Sequence, residues 1–272
     1  MTFAEVTEPF DTGHREFGAL SPLLWQPLGS ALVERAGPRP GERVLDACCG
    51  DGASAIPAAR AVGESGHVDA VDGAAGLLEL GRTRATDLPQ LRFARADVTA
   101  WRTEQRYDLV QCAYGVFFLP DMDASCRRLI GMLTGGGRFA VSAWRYPAIR
   151  EFATCLIAAV EEEQGKPLPA PSSVQPAERI DNEGKLHDWL ASLGLVSVQT
   201  WTVPFECPLT DPEVAWMIVT GTGFRGMLDR FDDAGVERVR QGLLRRIDER
   251  RLHTLDATSV IGVGTRQERS DR

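Results

Sequence analysis

Val44-Leu45-Asp46-Ala47-Cys48-Cys49-Gly50-Asp51-Gly52 is the stretch from which the fold can be read. A short apolar run ends on an acid, Asp46, and reaches two glycines, Gly50 and Gly52, within a few residues. An alanine-rich helical stretch follows at 53–62, where Pro57 limits the start of the first turn. Strand, tight turn and helix in this order form the opening unit of a doubly wound α/β sheet. Glycine serves where the backbone turns sharply or meets a ligand closely, because a Cβ would clash there. Gly50-x-Gly52-x-x-Ala55 fits the relaxed dinucleotide fingerprint, in which backbone N–H groups and a helix N-terminus receive a pyrophosphate. Asp46 argues for a different ligand. At the end of the strand its carboxylate is expected to face the crevice, where a fixed negative charge repels phosphate and suits a cationic group.

The stretch resembles the first motif of class I S-adenosylmethionine-dependent methyltransferases, Val-Leu-Asp-x-Gly-x-Gly-x-Gly, with Cys48 standing at the first glycine. The resemblance implies S-adenosylmethionine as cofactor and S-adenosylhomocysteine as product. It places Asp46, Ala47, Cys48, Gly50 and Gly52 around the cofactor, and the Cys48 substitution is expected to force a small local change in the loop.

The following segments keep the repeat. Residues 66–72 alternate apolar positions and end on Asp72, 26 residues after Asp46, the span of one βαβ unit. An acid there can accept two hydrogen bonds from ribose hydroxyls, or it can cap the helix expected over 73–85. The resemblance counts Gly73 and Leu77 among the cofactor-binding residues. Residues 91–94 form a third strand, and Asp97-Val98 after it resembles the family's acid-apolar element at the adenine edge; a plain loop role for Asp97 is the other reading. Residues 107–113 form a mostly apolar fourth strand suited to the centre of a sheet. In the family the loop that follows, 114–119, makes backbone contacts to the methionine part of the cofactor and begins the acceptor pocket, and the resemblance counts Cys112 and Ala113 at the strand's end among the cofactor-binding residues. Cys112 also resembles a nucleophilic cysteine but lacks the neighbouring proline, so a small buried residue is the better reading. No Asn-Pro-Pro-Tyr-like tetrapeptide follows, so the device for methylating planar amino groups is absent. A helix is expected over 122–133, a glycine turn at 134–137 and a fifth strand at 138–142.

The implied architecture is a doubly wound, seven-stranded, mostly parallel sheet of the Rossmann-like methyltransferase type with helical lid insertions, one domain over 1–272. Residues 1–40 are its N-terminal cap, 41–145 the cofactor core, 146–180 and 208–255 lid elements, and 256–266 the last edge strand. Beyond the core, 149–163 reads as a helix, 165–176 as a Pro/Ser-rich loop, 184–193 as a helix, 196–205 as a strand, and 211–231 and 233–251 as helices. The arginine- and acid-rich run at 225–251 reads as a solvated helix face, and 267–272 as a frayed end.

Composition sets outer bounds. With 43% hydrophobic and 25% charged residues, the 272-residue chain is an ordinary globular sequence. A net charge of −8 without a basic block argues against a nucleic-acid partner. No signal peptide or membrane span is expected. The six cysteines show no metal-ligand spacing and read as reduced thiols of a cytoplasmic protein, with no metal site.

Methyl transfer needs alignment more than a catalytic dyad, because the thioether leaves readily. If the acceptor is a hydroxyl, a base helps, and His14 and Tyr114 are the leading candidates, with His187 and His253 behind them and His67 at the wrong end of its strand. Phe10, Phe17, Trp25, Tyr114, Phe117, Phe118, Trp144, Trp216 and Phe224 suggest a hydrophobic small-molecule acceptor methylated on oxygen or carbon. The pattern looks like the ubiquinone/menaquinone-type and secondary-metabolite subfamily. Beside it stand a relative that catalyses a cyclisation or rearrangement, a non-catalytic binding protein, and a nicotinamide oxidoreductase. Oligomeric state, monomer or homodimer, stays open.

Overall fold

A computed structural model describes residues 3–169 and 175–268. Part of the expected Pro/Ser-rich loop, 170–174, and most of the expected frayed end, 269–272, lie outside the described residues. Three helices come first, α1 (Phe3–Thr12), α2 (His14–Leu20) and α3 (Trp25–Ala36). Strands and helices then alternate: β1 (Arg43–Ala47), α4 (Ala55–Val62), β2 (His67–Asp72), α5 (Ala75–Arg84), β3 (Leu91–Arg95), β4 (Tyr107–Ala113), α6 (Met122–Ile130) and β5 (Leu133–Trp144). The remainder is α7 (Arg150–Gln164), α8 (Glu183–Ser192), β6 (Leu195–Val203), β7 (Glu206–Pro208), α9 (Pro212–Thr220), α10 (Asp233–Glu249), β8 (Thr254–Asp256) and β9 (Ser259–Arg266).

Seven strands form one sheet in the order β3-β2-β1-β4-β5-β9-β6, parallel through β5, with β9 antiparallel to both its neighbours. The strand order reverses between β1 and β4, which opens a crevice at their carboxyl ends. Strand alternation then decides what each side chain meets. Leu45 and Ala47 join the apolar layer under α6 and α8, while Val44 faces the opposite layer with Ala55, Ala58 and Ala59 of α4. A third apolar layer gathers Phe152 of α7, Ile218 of α9, Leu243 of α10, Leu255 of β8 and Leu20 of α2 over the crevice.

Several boundaries depart from expectation for identifiable reasons. The last strand, expected at the edge, lies one place in, and β6 takes the edge. Val260 and Ile261 of β9 are fully buried, whereas Val196 of β6 is 41% exposed, so the more apolar strand occupies the sheltered position. Residues 134–137 are no free turn: they belong to β5 as a bulge opposite Asp108, since Tyr107 pairs with Leu133 and Leu109 with Arg138. The helix expected to reach Leu133 therefore stops at Ile130. The strand expected over 196–205 ends at Val203, because Pro204 has no N–H to donate. The helix expected over 211–231 breaks at Gly221, where a Cβ would lie 2.6 Å from the Phe17 nitrogen of α2. A 3-10 turn, Gly223–Met227, follows. Finally, the basic run of α10 is a seam with α7 as well as a solvated face: Arg238 pairs with Glu163, and Arg245 and Arg246 with Glu162. No helix among the described residues is long and apolar enough to cross a membrane.

Candidate active site

The loop between β1 and α4 reaches its shape through left-handed backbone at Cys48 (φ 58°), Gly50 (φ 53°) and Gly52 (φ 83°). Cys48 thus adopts the conformation a glycine would supply, at a cost of about 1–2 kcal/mol for an L-residue. Gly115 makes room for it: a Cβ on Gly115 would lie 2.6 Å from the Cys48 Cβ and 2.7 Å from the Cys112 Sγ. The loop keeps its turn, and the expected distortion is absorbed across the crevice.

Asp72 ties this loop to the next. Its Oδ2 accepts from the Gly50 N–H at 2.9 Å and its Oδ1 from the Ala74 N–H at 2.8 Å. Asp72 lines the crevice, while the N-cap of α5 is Ala74, so Asp72 braces the residue before the helix and is not itself the cap expected of it. Burial raises its pKa, opposed by the N–H groups of Ala74 and Gly50. Asp97 turns one oxygen to the Thr99 backbone N–H and hydroxyl, at 2.8 and 2.6 Å, and lines the same crevice with Val98.

The crevice is a cavity of about 450 Å³. Cys48, Gly50, Asp72, Gly73, Leu77, Asp97, Val98 and Ala113 line it, as the sequence places them. Asp46, Ala47, Gly52 and Cys112 are not on its wall, and each is a correction with its own cause. By alternation Asp46 points to the α4 side, where its Oδ2 accepts from Ser54 Oγ at 2.7 Å and Gln111 Nε2 at 3.1 Å. Burial pushes its pKa up to about 7 against those two hydrogen bonds. Its charge does not face the crevice. Ala47 is fully buried under the sheet. Gly52 is required by packing, since a Cβ there would lie 2.9 Å from the Phe93 ring. Cys112 is buried behind Cys48, whose thiol hydrogen-bonds to it; that bond and burial hold the Cys48 pKa well above the ordinary thiol value.

One acid in the wall escaped the sequence reading. Asp51, between the two glycines, is 1% exposed, lines the cavity and pairs with Arg84. Burial raises its pKa, countered by the Ser21 hydroxyl and Arg84. An acid enclosed by glycines was the available signal.

Toward the lid the wall becomes aromatic and aliphatic. All the aromatic residues expected there are present except Trp216. Phe17 stacks on Trp25 at 5.1 Å and 10°, and Tyr114 lies 4.4 Å from Trp144 between ring centres. Neither leading base candidate is placed to act as one. The Tyr114 ring lines the cavity, but its hydroxyl is bonded to Ser259 Oγ and burial pushes its pKa up. His14 turns Nδ1 to the Asp11 carbonyl at 2.7 Å and packs on Gly76, off the cavity wall. His187 and His253 also lie off the wall, and His67 pairs with Asp69. The described residues hold no cluster of three or more His, Cys, Asp or Glu side chains fit for a metal ion.

Residues 44–137 match the family model described as a methyltransferase domain. That match identifies 44–137 as a methyltransferase domain, and the sheet order and glycine-loop cavity agree with the resemblance to the class I S-adenosylmethionine-dependent type. Among curated relatives, aklanonic acid methyltransferase DauC of Streptomyces sp. (strain C5) is 37% identical over 142 residues, 51% of this chain and 64% of the relative. A 2-phytyl-1,4-naphtoquinone methyltransferase of Nostoc sp. is 29% identical over 135 residues, 48% of this chain and 58% of the relative. The chain thus spans under two thirds of the length of these relatives. Among solved structures, the [4+2]-cyclase SpnF superposes with a TM-score of 0.62 at 15% identity over 98% of both chains. The Bacillus YcgJ protein superposes at 0.58 and 16% identity, over 89% of this chain and 99% of that one. Both likenesses show the fold alone.

The residues present fit a nucleoside bearing a sulfonium. A glycine loop approaches from one side, two acids on successive strand ends offer acceptor oxygens, and Leu77 supplies an apolar surface. Aromatic faces beyond them suit a positive charge.

Proposed function

We propose that this protein transfers a methyl group from S-adenosylmethionine to a hydrophobic small-molecule acceptor, on oxygen or carbon. The observation that carries the reading is the two-part wall of one cavity: a glycine loop and the strand-end acids Asp72 and Asp97 at one end, aromatic and aliphatic side chains at the other. When bound, the cofactor supplies an electrophilic methyl on a positively charged sulfur. Asp72 and Asp97 hold the nucleoside, and the Tyr114 and Trp144 faces border the space where the charge would lie. The lid residues Ile218 and Phe224 exclude water and press the acceptor toward the methyl. Transfer of the methyl to the acceptor atom would leave a neutral thioether, and an acceptor already ionised would need no proton removed.

No histidine or carboxylate lines the aromatic end among the described residues. That arrangement favours an acceptor whose nucleophilic atom is electron-rich without help: an acidic hydroxyl, a carboxylate or an activated ring carbon. The names of the relatives, an acid and a naphthoquinone, agree with that class. Six free cysteines support a cytoplasmic site of action.

The test is incubation with methyl-labelled S-adenosylmethionine and a panel of hydroxyanthraquinones, reduced naphthoquinones and aryl amines. Label appears in the oxygen or carbon acceptors. Labelled amines alone, or a rearranged product with no S-adenosylhomocysteine formed, would contradict the proposal.

A further inference from the structure

A second cavity of about 400 Å³ lies between the start of α7 and β8. It shares Ile149 and Leu255 with the first, so these side chains stand in both walls. Ligand cavities run from about 300 to 1,000 Å³ for one drug-sized molecule. At about 450 Å³ the first cavity is in the lower part of that range, yet the proposed reaction needs cofactor and acceptor side by side in it.

The partition is also backbone-strained. Ile149 has φ 58° and ψ −11°, a conformation in which a β-branched residue is a genuine outlier. It is held there by its N–H on the Asp256 carbonyl at 2.8 Å and by its carbonyl, which accepts from Ala153 at 2.9 Å. Strain of this kind persists where surrounding structure imposes it, and it concentrates at ligand clamps. Beyond the partition the walls are mixed, with Phe152, Leu252 and Pro147 offering apolar surface beside Thr154, Thr254 and the charged Arg150, Glu151 and Asp256.

We infer that the acceptor is elongated, and that its distal part passes between Ile149 and Leu255 into this second cavity while its reacting ring stays in the first. The inference rests on the methyltransferase reading of the first cavity and adds the length of the substrate to it. The second cavity would select acceptors with an apolar extension.

The test uses the protein loaded with S-adenosylhomocysteine and two probes, 2-hydroxy-1,4-naphthoquinone and its 3-octyl derivative. Each methylene taken out of water adds to binding, so a seated chain raises affinity at least tenfold. Thr154→Trp, at an exposed position on the second cavity alone, removes that gain and leaves the short probe unchanged. Ile149→Gly relieves the strained backbone, widens the passage and strengthens binding of the octyl probe relative to the short one. S-Adenosylhomocysteine binding in both variants reports that the fold is intact. Equal affinities of the two probes for wild-type protein, or a chain gain untouched by Thr154→Trp, would overturn the inference. Failure of the wild-type protein to bind S-adenosylhomocysteine would instead overturn the methyltransferase reading itself.

Discussion

Cys48 and Gly115 face each other across the crevice so closely that a Cβ on Gly115 would lie 2.6 Å from the Cys48 Cβ. The glycine missing from the cofactor loop is in effect supplied by the opposite wall. Gly115 has φ −105°, open to any residue, so the cost of Gly115→Ala is steric. Overpacking of this kind costs about 1–3 kcal/mol. Gly115→Ala is expected to lower the denaturant midpoint accordingly and weaken S-adenosylhomocysteine binding. Cys48→Gly removes the left-handed cost but adds unfolded-state entropy, so its stability stays within about 1 kcal/mol of wild type and binding survives. Urea titration and calorimetry of both variants check this.

Tyr114→Phe separates packing from base catalysis. The hydroxyl is bonded to Ser259, and burial holds its proton on. The variant is expected to keep the methylation rate within a few-fold while losing about 1 kcal/mol of stability from one hydrogen bond. A hundredfold fall in rate with unchanged stability would restore Tyr114 as the base.

Asp46 gives the ligand-free protein a pH signature. Burial raises its pKa from 3.8 to about 7 in the folded state, so between these values the folded protein binds more protons than the unfolded chain. Stability contributed through this group therefore falls as pH rises across the window and levels off above about 7. The full effect is on the order of 4 kcal/mol. Asp46→Asn removes that slope and is more stable than wild type at pH 8. Urea midpoints from pH 4 to 8 measure it.

Much of this was legible in the sequence because local rules and tertiary context agree there. The turn 48–52, Asp72 one repeat later and the apolar run 107–113 each carry their structural role in residue type and spacing. Where a side chain points at a strand end was harder. Asp46 reads as a crevice acid until Ser54 and Gln111 are seen to hold it on the α4 side. Tyr114 reads as a base until Ser259, 145 residues away, takes its hydroxyl. The break at Gly221 depends on the close approach of α2, which no local pattern encodes. Pro204, by contrast, was a visible stop signal for β6.

The most direct test is calorimetric titration of the purified protein with S-adenosylhomocysteine and, separately, NAD, for wild type and Asp72→Ala. Asp72 holds the Gly50 and Ala74 N–H groups and lines the cavity, so its loss removes the loop's anchor along with a ligand contact. Charge-assisted hydrogen bonds contribute about 1.5–3 kcal/mol each, which makes the expected loss at least a hundredfold. Micromolar binding of S-adenosylhomocysteine to wild type, that loss in Asp72→Ala and no binding of NAD are the predicted results. Binding of NAD, or S-adenosylhomocysteine affinity indifferent to Asp72, would contradict the site described.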